Sequence, residues 1–466
     1  MTLHRLIAPA IAGVLGTLGL AACDLDVPDL NNPGLDTLQD SPDAVSIAKA
    51  CTGLLINNRS NIANEFGYID EIGILGRENY NFDTADPRFI GELLAGELSR
   101  GSPFGGNFWG VPYANIRLAN VTLHALDKVP DEELSAANKQ GIRGFIHTIM
   151  ALDLMQVVVT HDTNGAVIDT DRDLTQSLGA IVSKDMANAK IAQLLDDATA
   201  ELDAGDDTFP FLLSSGFDGF DTPATFRKFN RALRARVGAY IASTSAAKNY
   251  EAVLTALGAS FVDDTAMGKF ESGVFYSFST KTGDTTNGLI NPNIYVHPLV
   301  KSEAKNKADT KPDDRLTAKV ATTKTAGSAT GTPLMSTLVF TMYDSPSSPV
   351  ALIRNEELIL LKAEALWFSG MKSQAIDELN VVRVGSGGLE PVAQTTDDAT
   401  FITELLYDRR YSLLFEGHRW IDLRRFNRTT EMVLDDPDYK RNIRFPIPLP
   451  ECNARPGEQA CTLGSL

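Results

Sequence analysis

The sequence predicts a mainly α fold, a scaffold of helix hairpins carrying a loop-rich face of short strands. Three observations carry this. Ile142, Phe145, Ile146, Ile149 and Met150 stand at i, i+3, i+4, i+7 and i+8, one apolar stripe of an amphipathic helix. From about 260 to 350 that periodicity gives way to aromatics set among Gly, Thr, Asn and Pro, the composition of long loops and short strands. Near Gly370 a single glycine separates two alanine-bearing helical stretches, the layout of a close helix hairpin.

The chain opens with "MTLHRLIAPAIAGVLGTLGLAACDLDVPDLNNP". Arg5 followed by the apolar run Leu6 to Leu20 has the layout of a secretory signal peptide, and the run is short for a membrane span. The small residues of "LAAC" lead into Cys23 and resemble the lipobox of bacterial lipoproteins, which implies lipidation of Cys23 and a lipid anchor. Residues 1–22 carry Arg5 and no acid, so their removal takes the net charge from −18 to −19. A chain this acidic repels polyanions, so no nucleic-acid partner is expected. With 43% hydrophobic residues, the rest can bury a large core.

These shifts divide the chain into a signal peptide (1–22), an acidic tether (23–40), an N-terminal helical region (41–260), a loop and strand insert (261–350) and a C-terminal region (351–466). In the helical region Ser41 is placed as an N-cap with Pro42 at the first helical position. Helical runs follow near 108–127, 184–203 and 223–244, and no stretch after the leader reads as long and apolar enough to cross a bilayer. After the insert, Ala363, Leu366 and Trp367 share one helix and Ala375, Ile376 and Leu379 the next; the pair resembles a tetratricopeptide unit. Ile402, Leu405, Leu406 and Leu413 mark a further helix, with Gly417 as its expected stop.

Around that helix end, Arg409, Arg410, Arg419, Arg424 and Arg425 alternate with Asp408, Glu416 and Asp422. Arginine forks pair bidentately with carboxylates, and Trp420 offers a face to a guanidinium, so an architectural ion-pair network is expected rather than a catalytic site. Cys452 and Cys461 flank a polar loop in an exported chain. They form the favoured disulfide, although pairing of either with Cys51 remains open. No cysteine or histidine spacing suits a metal, and no cofactor is expected.

"IRNEELILLKAEALWFSG", "DRRYSLLFEGHRWIDLRRFNR" and "FPIPLPE", in that order, resemble the C-terminal half of the SusD/RagB family. "FWGVPYANIRLANVTL" and "IRGFIHTIMALDLMQVV" resemble its N-terminal half more loosely. The departures are Asp408 and Ser412, where the family commonly has Glu, and Ile421, where it often has an aromatic. The resemblance implies a nutrient-binding outer-membrane lipoprotein, with four tetratricopeptide-like units behind a loop-rich ligand face. It also implies a partner, a SusC-like TonB-dependent outer-membrane transporter on which the lipoprotein sits as a lid at the cell surface.

Two other function classes compete with this one. "SIAK" (Ser46, Lys49), "YAN" (Tyr113, Asn115) and "KTG" (Lys281 to Gly283) follow the order of serine β-lactamases and penicillin-binding proteins, with Ser46 as nucleophile, but the motifs are short and KTG lies in a loop-like context. A scaffold lipoprotein would use the helix hairpins and the anchor but leave the aromatic loops without a role. Asp169, Asp171 and Asp173 begin like a calcium loop, yet Leu174 and Ala180 occupy the glycine and glutamate positions. The favoured reading is capture of a neutral glycan without catalysis, since sugars bind aromatic platforms beside Asn, Asp and Arg. Two segments supply such mixtures. The first gives Arg77, Asn79, Tyr80, Phe82, Phe104, Asn107, Phe108 and Trp109; the second gives Phe275, Tyr276, Asn291, Asn293, Tyr295 and Tyr343. Trp109 and Tyr113 begin a helix, where core packing is the favoured reading; Asn79 to Phe82 and Tyr276 to Tyr295, in polar and loop-like surroundings, are the stronger candidates.

Overall fold

Side-chain caps set where the main helices begin. The computed structural model describes residues 35–173, 175–265 and 269–466; the leader, Cys23 and most of the tether lie outside the described residues. The first described helix, α1 (Leu35–Asp40), falls within the segment expected to be tether, and Leu38 is buried in the core. Helix α2 (Ala44–Arg59) is capped by Asp43, whose side chain accepts from the Ser46 amide at 2.7 Å while Ser46 Oγ accepts from the Asp43 amide at 2.9 Å. The cap is therefore Asp43 rather than Ser41, because the reciprocal pairing with Ser46 satisfies two orphan donors at once. Helices α3 (Tyr68–Leu75) and the single turn α4 (Arg88–Ile90) precede the long α5 (Pro103–Leu126), which starts at Ser102 and is kinked at Phe104 and Gly105. Ser135 caps α6 (Ala136–His161), Ser183 caps α7 (Lys184–Asp203), and Thr222 with Pro223 opens α8 (Pro223–Thr244), followed by α9 (Glu251–Gly258).

One expectation is corrected here. The stretch Ala136–Asn164 is long and apolar enough to cross a bilayer by composition. Its apolar window is 83% buried, with α2, α5, α7 and α8 packed about it, so it is a core helix.

The insert holds α10 (Pro298–Ser302), α11 (Asp314–Lys319) and four of the eight described strands. In chain order the strands are β1 (Asn79–Asn81), β2 (Ala166–Val167), β3 (Ile181–Val182), β4 (Gly273–Tyr276), β5 (Ile294–Val296), β6 (Val320–Ser328), β7 (Met335–Phe340) and β8 (Val350–Arg354). They pair antiparallel as β1–β5, β2–β3, β4–β8 and β6–β7. No sheet among the described residues exceeds two strands, so each depends on helices or loops for cover.

The C-terminal region begins with α12 (Asn355–Phe368) and α13 (Lys372–Gly385), joined at Gly370, whose φ of 82° only glycine adopts freely. Ala363 and Ala375 are fully buried between them, and Trp367 stacks on Phe401 at 3.9 Å from α14 (Asp398–Ser412). Helix α14 stops at Leu413, ahead of the expected Gly417, because Phe415 already turns left-handed at φ 59°. Then come α15 (Arg419–Arg425) and α16 (Leu449–Asn453).

The arginine-rich stretch is a buried network. Arg409 and Arg425 both reach Asp422, at 2.7 and 2.8 Å, and Arg425 grips both oxygens of Glu364. Arg424 lies 3.8 Å over the Trp420 ring. Of the three departures noted in the sequence, the two polar ones are engaged: Asp408 pairs with Arg315 at 2.8 Å, and Ser412 donates to Glu356 at 2.8 Å. The Cys452–Cys461 disulfide is present, and Cys51 is free and buried.

Candidate functional site

Four segments enclose a cleft of about 500 Å³. Helix α2 contributes Thr52, Leu55, Ile56 and Arg59; β4 and its continuation contribute Phe275, Tyr276 and Phe278. The turn Ser279 to Asp284 forms one lip and the segment Leu212 to Phe217 the other. A β-bulge shapes the wall. Between Val274 and Phe275 the register against β8 skips Leu352, so Phe275 faces Ala351 and Tyr276 faces Val350. Bulges re-aim neighbouring side chains, and this one leaves both rings half-buried at the cleft.

The lip is tied to the scaffold by Arg59. Its guanidinium donates to the Ser277 carbonyl and to the Asp284 carboxylate, and sits 6.0 Å over the Phe278 ring. Asp284 also accepts from Ser279 Oγ at 2.6 Å and from the Thr285 amide. Burial opposes its charge, but these donors and Arg59 win and hold the carboxyl below its ordinary value. Aromatic surface, hydroxyls and a fixed charge pair thus line one concave volume, within the size range of small-molecule sites.

Behind Tyr276 lies a chamber of about 60 Å³ that shares Asn58, Tyr276 and Leu352 with the cleft and adds Tyr68, Tyr240, Arg236 and His418. The Tyr276 hydroxyl bonds to no described residue, and burial pushes it well above the usual phenol value. Burial likewise holds His418 down to about 4, so the imidazole is neutral near pH 7.

The remaining sequence candidates assemble elsewhere. Strand pairing sets Tyr80 opposite Tyr295, and the Phe82 amide donates to the Asn293 carbonyl at 2.9 Å, so the two segments chosen from sequence do meet. Phe82 lies 5.2 Å from Tyr80 and 5.7 Å from Tyr295. Gly327 of the β6–β7 hairpin rests on this layer: a Cβ there would stand 2.4 Å from Tyr295 and 2.7 Å from Phe82. Backbone already covers the ring surface a sugar would use. The expected result for Gly327→Val is a loss of about 1–3 kcal/mol from overpacking, read as a lower urea midpoint with faster proteolysis of the 320–340 hairpin.

Arg77, Asn79 and Tyr80 are buried and serve as ties. Arg77 Nε donates to the Val433 carbonyl at 3.0 Å, Asn79 to Asp70 at 2.5 Å, and the Tyr80 hydroxyl to Asp435 at 2.6 Å. Asn291 donates to Glu65 and Tyr343 to the Phe415 carbonyl, while Phe104 and Phe108 are core. Trp109 packs edge-on to Tyr113 at 4.9 Å and His161 at 5.0 Å. Tyr276 is therefore separate from both the Tyr80–Tyr295 layer and Trp109. Ser46 is 4% exposed, and its hydroxyl donates to the Asp43 carbonyl, which makes it a cap residue.

Arg59, Phe278 and Leu212 were not singled out from sequence. Leu212 alone carried a signal, an apolar residue ahead of "SSG" that the structure leaves 88% exposed on the lip.

The comparisons fit this architecture. Residues 269–445 match the SusD family. A SusD-like protein of Formosa agariphila is 36% identical over 91 residues, a match spanning 18% of this chain and 18% of that relative's length. The crystal structure of a SusD superfamily protein from Bacteroides vulgatus superposes with a TM-score of 0.68 at 15% identity, covering 91% of this chain and 98% of that one. A laminarin-binding SusD-like protein does so at 0.60 and 15% identity, over 89% of this chain and 98% of its own. At such identities the likeness is one of fold.

Proposed function

The chain belongs to the SusD family through residues 269–445, and on that premise we propose that it captures a neutral glycan and delivers it to a SusC-like, TonB-dependent outer-membrane transporter. In this reading it is a binder without catalysis, held at the cell surface by lipid on Cys23. The observation that carries it is the cleft of about 500 Å³ where Phe275 and Tyr276 stand beside Thr52, Asn58, Ser214 and Ser279. A pyranose presents C–H faces to aromatic rings and hydroxyls to such polar neighbours. The laminarin-binding neighbour supports a glucan as first probe.

Affinity electrophoresis through gels containing laminarin and other neutral polysaccharides tests it. At least one polysaccharide is expected to retard the protein. Tyr276→Ala is expected to weaken that binding by about 1 kcal/mol, a factor of about five in affinity. Full mobility across the panel, or undiminished retardation of the variant, would sink the reading. Delivery is tested by co-purification with a TonB-dependent barrel from outer membranes.

A further inference from the structure

A second concavity, of about 330 Å³, opens where the first turns of α5 face residues 167–173, 176–179 and α16. Trp109, only 4% exposed, and the half-buried Tyr113 form its aromatic side. The Tyr113 hydroxyl is engaged twice, accepting from the Val167 amide at 2.6 Å and donating to the Val167 carbonyl at 2.9 Å. The Trp109 indole N–H, in contrast, has no acceptor among the described residues. An indole N–H in a polar groove ordinarily finds a partner.

The rim is charged but balanced. Arg172 pairs with Asp169 at 2.7 Å, and Arg455 with Glu451 at 2.6 Å. Arg117 and Asp173 also line the groove, and the positive charge of Arg117 contributes to holding Asp173 below its ordinary value, after the hydrogen bonds from Thr175. Three arginines against three carboxylates leave no net field to attract an ion, on a chain whose net charge is −18. What they leave is a ring of planar donors and acceptors around an aromatic wall, chemistry that suits an uncharged polyhydroxylated ring.

We propose that the groove over Trp109 is a second saccharide-binding subsite, separate from the Tyr276 cleft and taking neutral pyranose units. It rests on the glycan reading above and extends it to a ligand that engages the protein at two places. A polysaccharide holding both sites gains avidity through effective concentration without any new contact.

The test uses the three tryptophans. All three are buried, Trp109 at 4% exposure, and the Trp420 indole donates to the Asn442 carbonyl at 2.9 Å; among the three, Trp109 alone lines this groove. In the full chain labelled with ¹⁵N-tryptophan, the Trp109 indole peak is identified by Trp109→Phe. Laminarihexaose, maltohexaose and cellohexaose are then titrated. At least one is expected to move the Trp109 peak saturably while the other two peaks stay still.

Gly110→Leu plugs the groove: a Cβ at Gly110 meets nothing within 4 Å, so the helix tolerates it and the two unmoved indole peaks report an intact fold. It is expected to raise the Kd read at Trp109 about tenfold or more, whereas Tyr276→Ala leaves that Kd unchanged. A motionless Trp109 peak with all three sugars overturns the subsite, as does a shift that survives Gly110→Leu. Retardation lost in Tyr276→Ala beside a motionless Trp109 peak overturns the subsite and leaves the cleft standing. A Trp109 shift lost in Gly110→Leu while Tyr276→Ala keeps its retardation does the reverse.

Discussion

Replacing Arg425 by alanine is expected to lower folding stability by about 3–5 kcal/mol, the range for breaking a buried ion pair from one side. Arg425 holds Glu364 Oε1 and Oε2 at 2.5 and 2.7 Å and Asp422 Oδ1 at 2.8 Å, and all three residues are buried. Removal leaves Asp422 with Arg409, but among the described residues leaves Glu364 with only the Tyr250 hydroxyl at 2.9 Å. A carboxylate sealed from water beside one neutral donor is costly. The urea midpoint measures the loss. Arg425→Lys is expected to restore only part of it, because a point ammonium cannot span two oxygens. A change below about 1 kcal/mol would mean that the network is screened like a surface pair.

The second large effect is on pH. Stability is expected to fall between pH 6.5 and 8. Burial pushes Asp70 and Glu78 up to about 7 and Asp153 up to about 8, and it raises Glu71 well above the ordinary value. The unfolded chain releases these protons near pH 4, so unfolding releases protons in this window and rising pH favours the unfolded state. These contributions are fully present below about pH 4 and lost through 7–8.

Below pH 6.5 His161 and His418 act the other way. Burial holds both down to about 4, so the unfolded chain binds protons first and their own contribution rises with pH from about 4 to 6.5, offsetting part of the loss from the four acids. Asp422 and Glu357 are held near 2, where burial is outweighed by Arg409 and Arg236 respectively; their contribution is lost as pH falls toward 2. Urea midpoints at pH 6.5 and 8 measure the net, and a carboxyl NMR titration of Asp153 isolates its share. A midpoint that rises over that interval would show that these acids ionise in the folded protein.

Much of the fold was legible because its causes are local. Ser183 and Thr222 start helices where their side chains accept from orphan amides, and Pro223 suits the first helical position because it has no amide to satisfy. The cap at Asp43 was displaced from Ser41 by a reciprocal bond to Ser46 that spacing alone does not reveal. The site was less legible, for a different reason. Aromatic and amide residues in polar loops suit a sugar platform and a buried tie equally well, and composition does not separate the two. Arg77 illustrates this: its guanidinium ends on the Val433 and Lys440 carbonyls, more than three hundred residues along the chain.

The sequence by itself determined the helices, the hairpin turn at Gly370, the match to the SusD family through its ordered C-terminal blocks, and the ionic character of the stretch from Asp408 to Arg428. Each depends on spacing along one segment. Only the tertiary structure decided which rings border open space. Gly327 covers Tyr295 and Phe82, while the bulge at Leu352 turns Phe275 and Tyr276 into a cleft closed by Arg59. Exposure of a side chain depends on chain brought from far away in sequence, and no local pattern encodes it.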